Sequence, residues 1–202
     1  MEDKKLNEKE SLELIAQMIQ NTRRNLDAGS GNMFLLWGYI GAIVTLVVYA
    51  GVYFTKDPHW MCGFWGIPVL GFPLGIYLEY KSQKQAKAYS DKVLIEIWRV
   101  LGVFCMGLVI STTFTEQFEF ILPLCALVIA LGSIITGIIV RYKAFYLFST
   151  IGLAIGLYMV LAAMESDAPT YTSLLCFAAV AVFAMVIPGH MLNYAARKEN
   201  LC

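Results

Sequence analysis

Five polar side chains lie near the ends of long apolar stretches, where they could form a small binding site. Glu96 and Arg99 are three residues apart, so they would share one face of a helix. Glu79, His190 and Asn193 fall at similar positions in two other stretches. Together these groups could hold an anionic headgroup or a small solute. We predict a polar cup lined by the five residues; the alternative is that each one meets headgroups or water separately.

The residue patterns of enzymes are missing. The only two histidines, His59 and His190, are far apart in the sequence, so the HExxH pair of metalloproteases is absent. The sequence also has no nucleophile elbow, phosphate-binding loop or dinucleotide fingerprint. The five cysteines show no CxxC spacing, which favours a role as small core residues. We expect no enzyme activity, no catalytic residue, no metal and no cofactor. The net charge is zero, which argues against a nucleic-acid partner.

The chain is too apolar for an ordinary soluble domain. Hydrophobic residues make up 58% of it and charged residues 15%, against about a quarter charged in soluble proteins. A bilayer core is about 30 Å thick, which roughly 20 apolar residues span as a helix. Six stretches meet that length. In lipid the backbone N–H and C=O groups of each stretch must hydrogen-bond to one another, so we predict six helices. They are residues 33–54, 61–80, 93–114, 120–140, 144–164 and 172–194.

The connections between these stretches are short, so we predict an all-α polytopic membrane protein built from three antiparallel hairpins. The predicted six-helix transmembrane domain covers 33–194, and 195–202 form a cytoplasmic tail. Residues 1–32 would form a cytoplasmic amphipathic helix and a hinge, since apolar residues recur there every three or four positions. That helix could lie on the membrane, pack beneath the bundle or bind a partner protein.

Basic residues predict the orientation. Fourteen of the fifteen Lys and Arg residues flank one side of the six stretches, and only Lys56 lies on the other. Because basic flanks stay in the cytoplasm, both termini should be cytoplasmic. The middle of the bilayer holds hydroxyl groups but no ionisable side chain, which disfavours an ion-coupled carrier.

A glycine recurs about one helical turn inside the cytoplasmic end of every stretch. An aromatic residue precedes or follows each of them, as in "WGYIG" (37–41) and "GIYLEY" (75–80). An aromatic belt explains the aromatic residues, whereas the common depth of the glycines suggests a hairpin repeated three times. We predict helix packing at Gly41, Gly75, Gly102, Gly137, Gly152 and Gly189.

The stretch "ESLELIAQMIQNTRRNLDAGSGNMFLLWGY" resembles the opening of uncharacterised small bacterial multi-pass inner-membrane proteins, six-helix proteins with an N-terminal amphipathic helix. The resemblance implies a bacterial cytoplasmic membrane and no particular activity. From the residues we expect a non-enzymatic membrane module that binds lipid or a cytoplasmic partner protein at its cytoplasmic face. A homo-oligomer is an alternative partner, and a small transporter or channel for a small or uncharged solute is an alternative function.

Overall fold

A computed structural model describes residues 30–82, 89–115, 118–165 and 170–199. Each regular element within these ranges is helical. The α-helices are α1 (Ser30–Thr55), α2 (Gly66–Ser82), α3 (Tyr89–Phe114), α4 (Ile121–Val140), α5 (Lys143–Met164), α6 (Thr170–Ala181) and α7 (Ile187–Glu199). The predicted amphipathic helix lies outside the described residues, which begin within the predicted hinge.

Three tighter or wider helical segments join these α-helices within the described ranges. The 3-10 helix Pro58–Trp65 leads into α2, a shorter one at Phe118–Phe120 leads into α4, and the π-helical turn Val182–Val186 joins α6 to α7. The α-helices and these short segments together form six helical segments that are long and apolar enough to cross a membrane. The predicted all-α class is therefore confirmed, and so is the prediction of six helices with the length and apolarity needed to span a membrane.

The outer ends of the first and last helices differ from the prediction. α1 begins at Ser30, so it takes in residues assigned to the hinge. α7 continues to Glu199, through most of the predicted tail. Arg197 and Lys198 lie in its last turn, where the negative end of the helix dipole favours positive charge.

Neighbouring helices pack antiparallel. A Cβ on Gly137 of α4 would lie 3.0 Å from the backbone nitrogen of Tyr146 in α5, and one on Gly156 would lie 3.0 Å from Leu127. Phe34, near the start of α1, contacts the rings of Trp98 in α3 and Phe145 in α5, with centroids 5.4 and 5.0 Å away. The starts of α1, α3 and α5 therefore lie at one end of the bundle.

We call this the basic end, because exposed Arg99, Arg141, Lys143, Arg197 and Lys198 lie there. Asp57, Glu119 and Glu165 are exposed in the connections of the opposite end, which we call the acidic end. α7 also ends at the basic end, since Asn193 bonds to Asn32 of α1.

The six spanning segments contribute unequally to the core. α1, α4, α5 and the continuous α6–α7 segment supply its buried apolar side chains. α2 packs outside α1, where the Trp37 ring fills the space that a side chain at Gly71 would need. α3 packs outside α4, and its most apolar stretch has no buried residue. The three hairpins thus occupy unlike positions, and the threefold repeat stays a prediction.

The π-helical turn precedes Pro188. In an α-helix this proline would press on the carbonyl of Ala184 and would leave it without a donor. Instead, the Ile187 N–H bonds to the Val182 carbonyl, five residues back. The wider turn accommodates the proline without ending the helix. Gly38 of α1 and Gly152 of α5 pack closely against this turn.

Candidate functional site

Two of the five residues predicted to line a polar cup form an ion pair on α3. The Arg99 guanidinium donates to both oxygens of Glu96, at 2.6 and 2.7 Å. Both side chains are 63% exposed. Solvent weakens a pair of this kind, so it contributes little to the stability of the fold.

His190 and Asn193 instead contact α1. His190 Nε2 lies 2.6 Å from the Tyr39 hydroxyl, and the Asn193 amide donates to Asn32 Oδ1 at 2.7 Å. Two glycines allow this approach: a Cβ on Gly31 would lie 2.5 Å from the carbonyl oxygen of Gly189. These bonds hold α1 and α7 together at the basic end.

The side-chain hydrogen bonds of Glu96, Arg99, His190 and Asn193 therefore fall into two groups. One lies within α3, and the other joins α1 to α7. None of the described bonds links the two groups, and the Glu79 side chain lies outside the described part of the structure. Convergence of all five residues into one cup stays a prediction.

The six predicted packing glycines have different surroundings. A Cβ would lie within 3.4 Å of a neighbour at Gly137, Gly152 and Gly189, and in ordinary contact at Gly41 and Gly75. Gly102 is exposed, and nothing lies within 4 Å of its Cβ position. Sequence reasoning missed Gly31 and Gly38, which make contacts at least as close. How closely a glycine contacts a neighbouring helix depends on the helix face on which it lies. The spacing from an aromatic residue does not predict that face.

Buried hydroxyl groups lie within the spanning helices. Thr45 and Thr136 donate to carbonyls one turn earlier, and Trp98 of α3 donates to the Thr136 hydroxyl at 3.2 Å. Ser133 and Ser149 are fully buried, and their hydroxyls have no hydrogen-bond partner among the described residues. Unpaired buried hydroxyls are costly, so these two stand apart from the other polar groups of the core.

A cleft of about 440 Å³ lies at the turn between α4 and α5. Arg141 and Lys143 line it together with Tyr146, Ile138 and Leu147, and all five are exposed. Sequence reasoning used the two cations for orientation alone. Their position beside a concave apolar surface is visible only once α4 and α5 are paired.

The backbone of this turn is unusual. Tyr142 N–H donates to Gly137 O and Arg141 N–H to Ile138 O, each at 3.2 Å, which is the Schellman pattern of a helix end. Arg141 has φ 57°, in the left-handed region where glycine is preferred. The α4–α5 turn therefore holds an arginine where glycine would be less strained.

At the acidic end, the lone Lys56 is held by tyrosines. Its ammonium group lies 4.8 Å from the Tyr53 ring centre and 4.9 Å from that of Tyr171, as in cation–π contacts. The backbone N–H of His59, with its ring, donates to Asp57 and lowers the pKa of that carboxyl. At the acidic end, Lys56 is thus held against aromatic rings, and the lowered pKa favours the ionised form of Asp57.

The described residues do not bring three metal-ligating side chains of the His, Cys, Asp and Glu types together. The expected lack of a metal, a cofactor and enzyme activity stays a prediction. No protein-family model, curated protein or solved structure matches this chain. The resemblance of its opening residues to bacterial inner-membrane proteins is therefore still an expectation.

Proposed function

We propose that the chain is a multi-pass protein of the bacterial cytoplasmic membrane with both termini in the cytoplasm. The six apolar helices support membrane insertion, and the two unlike ends of the bundle support this orientation, since basic flanks stay inside. The amphipathic helix predicted at 1–32 would then lie on the cytoplasmic side. The bacterial setting depends on the resemblance of the opening residues alone.

In that setting, the chain acts as a non-enzymatic membrane module that binds lipid or a partner protein at its cytoplasmic face. One observation carries this proposal: the α4–α5 turn presents Arg141 and Lys143 beside a concave apolar surface. Neither cation takes part in the ion pairs found among the described residues, which involve Asp57 and Glu96. Exposed cations next to apolar surface suit a partner that is itself amphipathic.

A second function, a small transporter or channel, is supported by a different observation. Ser133 and Ser149 are buried hydroxyls without described partners, and a π-helical turn interrupts the last spanning segment. Hydroxyls of this kind could contact a small uncharged solute, and π-helical turns are frequent at functional sites.

Reconstitution of the full chain distinguishes these functions. Proteoliposomes containing the protein are loaded with glycerol or urea, and solute release is compared with that of protein-free liposomes. In parallel, phospholipid that stays with the purified protein after a detergent wash is identified by mass spectrometry. The module predicts retained lipid and release equal to that of the empty liposomes. Faster release without retained lipid would favour the transporter.

A further inference from the structure

We propose that the cleft at the α4–α5 turn is a binding site for an anionic phospholipid, with Arg141 and Lys143 holding the phosphate. This inference rests on the proposed function and names its ligand and site. The two cations are separated by one residue and both line the cleft. A guanidinium binds phosphate through two parallel hydrogen bonds, whereas an ammonium acts as a point charge.

Charge distinguishes this cleft from its neighbour. A second concavity of about 480 Å³ lies between α5 and α6, and its lining includes Tyr158, Leu175 and Cys176 but no charged residue. The α4–α5 cleft has two cations and no acidic residue in its lining. An anion is therefore attracted by two cations at the first site, whereas the second site offers no positive charge.

The backbone strain at Arg141 also points to a use for its side chain. A helix that ends in a Schellman pattern usually has glycine at this position, yet Arg141 occupies the left-handed conformation. Strained residues of this kind cluster at functional sites. No side chain caps the start of α5, so the backbone amides of its first turn add some positive potential beside the cations.

The apolar part of the cleft selects a lipid over free phosphate. Ile138 and Leu147 are 62% and 60% exposed, one on each helix, and lie beside the cations. They can contact an acyl chain while the headgroup meets Arg141. Tyr146 is 51% exposed, and its ring suits the boundary between headgroups and hydrocarbon.

The test uses the full-length chain in detergent, titrated with phosphatidylglycerol or phosphatidylcholine and followed by native mass spectrometry. The key variant is Arg141→Gly, which removes the cation and suits the left-handed backbone. The second is Arg141→Gln/Lys143→Gln. The matched control is Arg197→Gln/Lys198→Gln, which removes two exposed cations from the same end but outside the cleft. Inorganic phosphate is added as a competitor in a separate arm.

We expect Arg141→Gly to weaken phosphatidylglycerol binding about fivefold and the double variant to weaken it at least about tenfold, since each cation near a membrane contributes on that order. The thermal stability of lipid-free Arg141→Gly should equal or exceed that of the unaltered chain. Phosphatidylcholine binding and the control variant should change little.

Three results would overturn the inference. One is wild-type affinity in both cleft variants, which would leave lipid binding elsewhere on the protein. Another is an equal loss in the tail control, which would show a diffuse charge effect. The third is displacement of the lipid by millimolar phosphate, which would indicate a simple anion site. If the unaltered chain binds no lipid at all, the lipid arm of the proposed function fails as well.

Discussion

At the scale of single residues, glycines set how closely the core helices approach. A Cβ on Gly38 of α1 would lie 2.8 Å from Val186 Cγ2 and 3.2 Å from the Val186 backbone nitrogen. One turn further along, a Cβ on Gly41 would lie 3.8 Å from the Cβ of Ala181, an ordinary contact. The two positions face the same partner segment and differ in the space available.

Gly38→Ala should therefore destabilise the protein by about 1–2 kcal/mol, because the backbone of the π-helical turn has to move. We expect the unfolding midpoint in detergent, followed by intrinsic fluorescence, to fall by about 2–8 °C. Gly41→Ala is the matched control and should leave the midpoint unchanged or slightly raised, since alanine favours a helix. Equal midpoints for the two variants would contradict the packing described for α1.

The sequence predicts part of this pattern. Glycines inside apolar helices imply close packing, and Gly137, Gly152 and Gly189 show it. Gly102 lies in open space, because α3 turns that face away from the core. The left-handed Arg141 could not be predicted either: a Schellman ending depends on where α4 stops, and the residues before Arg141 would all continue a helix.

At the scale of elements, α3 is attached chiefly through α4. Trp98 donates to Thr136, and its ring lies close to Gly132. Further toward the acidic end, Cys105 of α3 and Cys125 of α4 are close enough for their thiols to interact. These contacts fix both the register and the antiparallel direction of the pair.

Oxidation in the membrane tests this pairing. Copper(II) phenanthroline would take two electrons from the Cys105 and Cys125 thiols, which lose two protons and join as a disulfide. We expect peptide mapping by mass spectrometry to recover the Cys105–Cys125 link as the main product in the monomer. Cys105→Ser is the control and should abolish it. A main link between Cys105 and Cys176 would show that α3 packs elsewhere.

The lengths of the spanning segments could be predicted, but their positions in the bundle could not. An apolar run of about 20 residues indicates a helix suited to the hydrocarbon core of a bilayer. The structure has helices at all six runs. The sequence has no comparable signal for burial, because the core segment α4 and the outer segment α3 are both strongly apolar. The π-helical turn was also missed, although Pro188 marks its place.

At the scale of the whole molecule, the two ends of the bundle differ in charge. Exposed Arg141, Lys143 and Lys198 lie at the basic end, and exposed Asp57, Glu119 and Glu165 lie at the acidic end. Basic flanks stay on the cytoplasmic side during insertion, so the cleft at the α4–α5 turn would face the cytoplasmic leaflet. That leaflet carries a negative surface potential, which suits an anionic lipid ligand.

The most direct test of this central claim is the accessibility of single cysteines in intact cells. In a chain whose own cysteines are replaced by serine, one cysteine at a time is introduced as Asp57→Cys, Glu119→Cys, Glu165→Cys, Lys143→Cys or Lys198→Cys. The account predicts that a membrane-impermeant maleimide labels the first three from outside, and the last two only after the membrane is permeabilised. Labelling of Lys143→Cys or Lys198→Cys in intact cells, or protection of any of the first three, would contradict it.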